Sequence, residues 1–301
     1  MKFSLWPHNE RTPADLLEEA RAAEETGWYG VWLADHYMPN TGDTTPARGD
    51  AYECWALLPA LAAVTERVRI GTLVSPTSVH HPALLAKRTA TIDHLSRGRM
   101  VLGLGAGWQI NEHHAYGIEL EPPGKRVSRF EEAIQIVRAM LSEESTTFHG
   151  ACYEITDAPC DPKPVQSPLP LLVGTRSPRM LRITARYANE WNTWGTPETM
   201  RRKLQILDEH CITEGRDPRE VKRAAQAVFF LDGDSERIEA ARNARRFPVI
   251  AGNADELKQV VAEYRDAGLD ELVVPTLGLG RGDDLKRTIK RFITEVAADF
   301  R

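Results

Sequence analysis

A (β/α)8 TIM barrel with loop insertions at its C-terminal face is the fold class that the sequence predicts, and three observations predict it. Strand-like apolar runs alternate with amphipathic helical stretches roughly eight times along the 301 residues, which is the pattern of parallel strands joined by crossover helices. A barrel of about 250 residues plus insertions fills this length, and no linker-like composition interrupts it, so residues 1–301 are expected to form a single domain. Residues able to do chemistry collect just past the strand ends, the face where barrels keep their active sites. An open parallel sheet is the alternative arrangement of the same units.

Taken in order, Lys2 to Pro7 reads as the first strand, stopped by Pro7. Thr12-Pro13 supplies a cap and a first-turn proline for a helix that ends at Thr26, before Gly27. Tyr29 to Pro39, YGVWLADHYMP, begins as a strand and stops in Asp35 and His36. Asn40 to Asp50 is rich in turn formers and is read as a loop on the same rim. A helix over about Glu53 to Thr65 leads to a strand from Val68 to Val74, and a helix opening at His81-Pro82 runs to about Leu95. Arg99 to Leu104 is the fourth strand and enters Gly105-Ala106-Gly107-Trp108, where small residues would let a flat ligand approach the backbone.

A polar irregular segment is expected up to Lys125, followed by a helix marked by Phe130, Ile134, Val137 and Leu141. Thr146 to Ile155 reads as an inserted hairpin around His149-Gly150. Leu169 to Val173 is the fifth strand, and Gly174-Thr175-Arg176-Ser177-Pro178 turns into a helix with Ser177 as cap. Glu190 to Trp194 is the sixth strand, and Thr196-Pro197 opens a helix to about Glu214. Arg223 to Leu231 and Glu271 to Pro275 complete eight strands; the helices around them are Ser235 to Arg245, Asn253 to Ala267 and Asp283 to Phe300.

Bulk composition excludes several classes. The 38 basic and 43 acidic side chains are interspersed and give a formal charge of -5, which argues against a nucleic-acid surface. No apolar run approaches the ~20 residues of a membrane helix, and the start of the chain lacks a signal-peptide core, so a cytoplasmic protein is expected. Its four cysteines form no Cys-x-x-Cys pair and are read as reduced. There is no GxSxG elbow, and the first strand ends in Trp6-Pro7-His8 rather than a His-x-His metal pair, so no metal is expected.

What remains at the predicted mouth is Trp6, Asp35 with His36, the glycine-rich stretch to Trp108, the Gly174 turn, and Trp191 to Trp194. Such a lining suits a large planar ligand. The Gly174 turn, at a helix start and beside Arg176, is the better phosphate candidate; the glycine-rich Gly278 to Gly282 loop competes.

Ala34-Asp35-His36-Tyr37, Gly71-Thr72-Leu73-Val74, and Gly103 to Trp108 with Asn111-Glu112 together resemble the bacterial-luciferase-like superfamily, nearly over the whole chain. The Asp-His form of strand two is most similar to the branch that uses coenzyme F420, a deazaflavin. The resemblance implies an oxidoreductase, usually a homodimer, that moves hydride between coenzyme F420 and a small organic substrate. It implies His36 as acid–base group, Asp35 holding the ring beside it, and Asn111 facing cofactor or substrate. Leu73-Val74 is implied as a cis peptide under the ring, with Gly105, Ala106, Gly174, Thr175 and Arg176 also on the cofactor.

Trp108, Asn40 and Trp6 are the candidate substrate residues, with Trp108 expected as a buried indole. An FMN-dependent two-component monooxygenase and a non-catalytic flavin-binding barrel are the alternatives. The family's sugar-phosphate dehydrogenase differs in three places. It has glutamate where Trp108 stands, tryptophan where Asn40 stands, and lysine near Thr196-Pro197-Glu198, so glucose-6-phosphate is not the expected substrate.

Overall fold

The computed structural model describes residues 1–8, 10–244 and 247–301. Its first part runs β1 (Lys2–Trp6), α1 (Pro13–Thr26), β2 (Gly30–Leu33), α2 (Cys54–Val64), β3 (Arg69–Thr72) and the short β4 (Ser75–Pro76). There follow α3 (Pro82–Leu95), β5 (Met100–Gly105), α4 (Ile110–Ala115), α5 (Pro123–Ser142) and an antiparallel hairpin, β6 (Ser145–His149) with β7 (Glu154–Pro159). The rest is β8 (Leu171–Gly174), α6 (Pro178–Tyr187), β9 (Glu190–Trp194), α7 (Pro197–Thr213), β10 (Lys222–Gln226), β11 (Val228–Leu231), α8 (Ser235–Asn243), β12 (Val249–Gly252), α9 (Ala254–Asp266), β13 (Glu271–Pro275) and α10 (Gly282–Arg291).

Eight strands close in the order β1-β2-β3-β5-β8-β9-β10-β13, all parallel, and β13 pairs back onto β1. The sheet is a closed barrel, not an open one. The helix starts follow from their caps. Thr12, Ser177 and Thr196 each accept an N–H of the first turn, and each is followed by proline in that turn.

Register fixes what points inward, because partnered residues of parallel strands share a face. Ser4 pairs with Gly30 and Val273, Trp32 with Gly71, Gly103 with Leu172, Gly174 with Asn192, and Trp194 with Gln226. The middle of the barrel is packed by Trp32, Leu73, Val101, Leu172 and Val273, with Trp6 and Val74 against them. At the N-terminal end, Arg69 lies 2.5 Å from Glu190 and 3.9 Å from Glu271. The indole of Trp32 donates to Glu271 at 3.0 Å.

Three sequence expectations need correction. Arg223 to Leu231 is not one strand: the chain leaves the barrel after Gln226, and β11 pairs with β12, which the sequence reading missed. β11 is buried throughout, so its apolar run merges with β10; β12 is only half-buried and carries little signal. The segment before Lys125 holds α4, and α5 already begins at Pro123. The closing helix is α-helical only to Arg291, then π-helical over Phe292–Val296, where Phe292 stacks on Trp28 at 5.5 Å. Arg245, the expected end of the helix after Ser235, lies outside the described residues. No described helix is long and apolar enough to cross a membrane.

Candidate active site

Asp35 and His36 follow β2 and turn to different partners. Asp35 is fully buried; its Oδ2 accepts from Trp55 Nε1 at 3.0 Å, Ser75 Oγ at 2.5 Å and His80 Nε2 at 2.9 Å. Burial pushes this carboxyl up, but the hydrogen bond and charge of His80, with the bonds from Ser75 and Trp55, outweigh it and hold it below its usual range. Its other oxygen, Oδ1, is buried without a partner among the described residues. His36 instead places Nδ1 2.9 Å from Glu112 Oε1, and the Tyr37 N–H donates to Glu112 Oε2 at 2.9 Å.

The expected Asp-His pair is therefore two pairs, Asp35 with His80 and Glu112 with His36. Glu112 was not among the candidate site residues. Its signal in the sequence was its place beside Asn111, but it lies 76 residues from His36 and only the fold joins them. The Glu112 carboxylate is 2% exposed, whereas the His36 side chain is 24% exposed. The acid thus sits behind the ring, and the ring reaches the solvent-accessible rim.

The loop after β5 closes this rim. Gly107 has φ +86, and a Cβ there would lie 1.9 Å from Ser78 Oγ, so only glycine fits. Ser78 and the Gln109 carbonyl both bind His113, fastening the loop to α4. Asn111 is fully buried: its amide donates to the Pro39 carbonyl at 2.8 Å, and its Oδ1 has no described partner. Asn40 uses its side-chain oxygen to accept the Gly42 N–H at 3.0 Å, which shapes the loop locally. Trp108 is not the buried indole expected; it is 57% exposed and meets His36 edge-on at 5.4 Å.

The glycines of β5 and β8 also admit close contacts within the protein. A Cβ on Gly105 or Gly174 would lie 2.8 or 2.9 Å from a Val74 methyl, whereas one on Gly103 would lie 2.0 Å from the Thr72 carbonyl oxygen of the neighbouring strand. Gly105 and Gly174 thus make room for Val74, the second residue of the cis Leu73–Val74 peptide, and Gly103 for the backbone of β3. Ala106, next to Gly105, is half-buried. In the Gly174 turn, the Thr175 N–H goes to the Asn192 carbonyl, and Thr175 Oγ1 accepts the Ser177 N–H. Trp191, far from lining the mouth, is fully buried and donates to the Thr175 carbonyl at 3.0 Å. The charge at this turn comes from the exposed Arg176, joined by Lys203, which donates to the Arg176 carbonyl at 2.8 Å. In the competing last loop, Arg11 donates to the Gly280 carbonyl at 2.9 Å.

Opposite this side, Trp6 lies 5.6 Å from Trp194, which stacks on Phe247 at 4.0 Å. A cavity of about 270 Å³ lies at the other end of the barrel, between Phe3, Trp28 and Arg301, away from these groups. Among the described residues no cluster of His, Cys, Asp or Glu has metal-binding geometry.

A closed parallel barrel with this mouth can be compared with known proteins. The model of the luciferase-like monooxygenase family matches residues 1–271. The chain belongs to that family. Within reach of it in sequence, an F420-dependent glucose-6-phosphate dehydrogenase of Amycolatopsis mediterranei is 29% identical over 334 residues, covering 96% of this chain and 95% of its own length. Among solved structures, an F420-dependent secondary alcohol dehydrogenase in complex with an F420-acetone adduct superposes with a TM-score of 0.86 at 21% identity, covering 99% of this chain and 98% of that one. The coenzyme F420 dependent tetrahydromethanopterin reductase of Methanopyrus kandleri gives 0.83 at 19% identity, over 100% and 99%. At such identities the structural likeness is one of fold.

Proposed function

We propose that this member of the luciferase-like family is an F420-dependent oxidoreductase that transfers hydride between the cofactor and a small organic substrate. The observation that carries the proton chemistry is the Glu112–His36 pair: a buried carboxylate behind a ring on the accessible rim. The family match and the F420-dependent relative support the cofactor.

The residues present fit such a group. Asp35 Oδ1 is a buried acceptor without a described partner, suited to a ring N–H. Val74 offers an apolar seat over Gly105 and Gly174, and Arg176 with Lys203 offers charge for a phosphate-bearing tail. When bound, coenzyme F420 would supply hydride exchange at the central carbon of its ring. The protein then has to manage one proton. Glu112 accepts from His36 Nδ1, which fixes the tautomer and leaves Nε2 to take or give the proton on the substrate side. Trp108, edge-on to the ring, limits its rotation. The Asp35–His80–Ser75–Trp55 network ties the end of β2 to α2 and the start of α3. The protein is taken to be a single-domain homodimer, which light scattering tests as a mass of two chains.

Bleaching of oxidised F420 on adding a panel of alcohols, under exclusion of oxygen, tests the reaction. No bleaching with any substrate, alongside oxygen uptake with reduced FMN, transfers the protein to the monooxygenase reading. Arg176→Ala is expected to weaken F420 binding by ~1.5–3 kcal/mol, the worth of a charge-assisted contact, without moving the melting temperature. If Arg281→Ala weakens it instead, the phosphate lies on the last loop.

A further inference from the structure

We infer that the mouth holds, on the arc from β9 through β10 and β13 to β1, a substrate subsite for a flat apolar molecule that carries a carboxylate or carbonyl group. Trp6, Asn192 and Gln226 are its hydrogen-bond donors. The inference deepens the F420 reading, on which it rests only for what shares the mouth.

Three buried nitrogens on these strands have no partner among the described residues: Trp6 Nε1, Asn192 Nδ2 and Gln226 Nε2. Asn192 is 1% and Gln226 4% exposed. A buried N–H without an acceptor is costly, so three around one volume point to a common acceptor group. Register brings them together. Gln226 is the partner of Trp194 across β9 and β10, Asn192 stands two residues below Trp194 on the same face, and Trp6 lies against Trp194. Trp6 stands across the mouth from Val74, whose seat on Gly105 and Gly174 marks the β5–β8 side, while Asn192 lies beside that seat as the partner of Gly174.

The walls set the rest of the ligand. Trp6, Trp194 and Phe247 give flat apolar faces, and Phe247 is 38% exposed, so the slot opens outward. All three donors are neutral. The acid below them on β9, Glu190, is already matched by Arg69 and Lys222. Neutral N–H groups suit one carbonyl or one carboxylate, whereas none of these three described donors carries the positive charge that a buried phosphate dianion needs.

The test titrates the protein without cofactor with benzoate, benzamide and toluene, following tryptophan fluorescence and heat. Benzoate or benzamide is expected to bind at least about tenfold more tightly than toluene; the tighter of the two tells whether the subsite takes an anion or a neutral carbonyl. Asn192→Leu and Gln226→Leu should each remove most of that preference. Trp6→Phe, which keeps a ring and loses the N–H, should weaken the acceptor ligands about tenfold and leave toluene unchanged; it decides the matter if a leucine variant does not fold. Equal binding of all three ligands, or a preference untouched by Trp6→Phe, overturns the subsite. F420 is titrated in parallel: benzoate or benzamide binding without F420 binding sinks the cofactor reading and leaves the subsite standing. F420 binding with no acceptor preference does the reverse.

Discussion

His36→Gln is expected to lower turnover by about 10²-fold or more, the usual worth of a general acid–base group, while F420 affinity and melting temperature stay near wild type. Glutamine is the informative replacement because its amide can still donate to Glu112, a carboxylate only 2% exposed that alanine would leave short of a partner. What glutamine cannot do is carry the proton. Steady-state kinetics, cofactor titration and thermal unfolding of the same sample separate the cases. Wild-type turnover would move the acid–base role elsewhere, and a large fall in melting temperature would make His36 a support for Trp108.

The second large effect is on stability. Arg69→Met should destabilise the fold by about 3–5 kcal/mol at pH 8, because it removes one member of a buried ionic group. Burial pushes the Glu271 carboxyl up, Arg69 pulls it down and Glu190 pushes it up again, and the net is above the usual range. A carboxyl whose folded-state pKa lies above its unfolded value contributes stability that is present below the unfolded value and lost as pH rises through the folded one. Without Arg69 that loss deepens, since Glu271 then has no guanidinium, while Lys222 still serves Glu190 at 3.5 Å. The deficit of the variant should therefore be greatest at pH 8 and shrink towards pH 5. Urea unfolding at both values measures it; an equal loss at both would show that shape, not charge, is what Arg69 supplies.

How much of this was legible in the sequence varied with the physics of each element. Strands closed by proline and helices opened by Ser or Thr before Pro were readable because cap and stop act within a few residues, as at Thr12-Pro13 and Ser177-Pro178. Whether the ring closes was not, since β1 meets β13 only through a pairing such as Phe3 with Leu272. In the site, the end of β2 gave Asp35 and His36, but not their partners, which come from α4 and from the approach to α3. Glycine at Gly103, Gly105 and Gly174 signalled close approach, but that Thr72 approaches the first and Val74 the other two was not legible, because both come from a neighbouring strand segment that only the fold brings there. Trp108 was misjudged for a related reason: an indole reads as buried from its own apolarity, but it is buried only where a neighbouring element covers it, and among the described residues none covers it fully.

The central claim, that the mouth is built for a deazaflavin, is tested most directly by titrating the wild-type protein with oxidised coenzyme F420 and with FMN and following quenching of each cofactor's fluorescence. The account predicts saturable micromolar binding of F420, weakened in Arg176→Ala, and binding of FMN at least about tenfold weaker. Micromolar binding of FMN with none of F420 would contradict it.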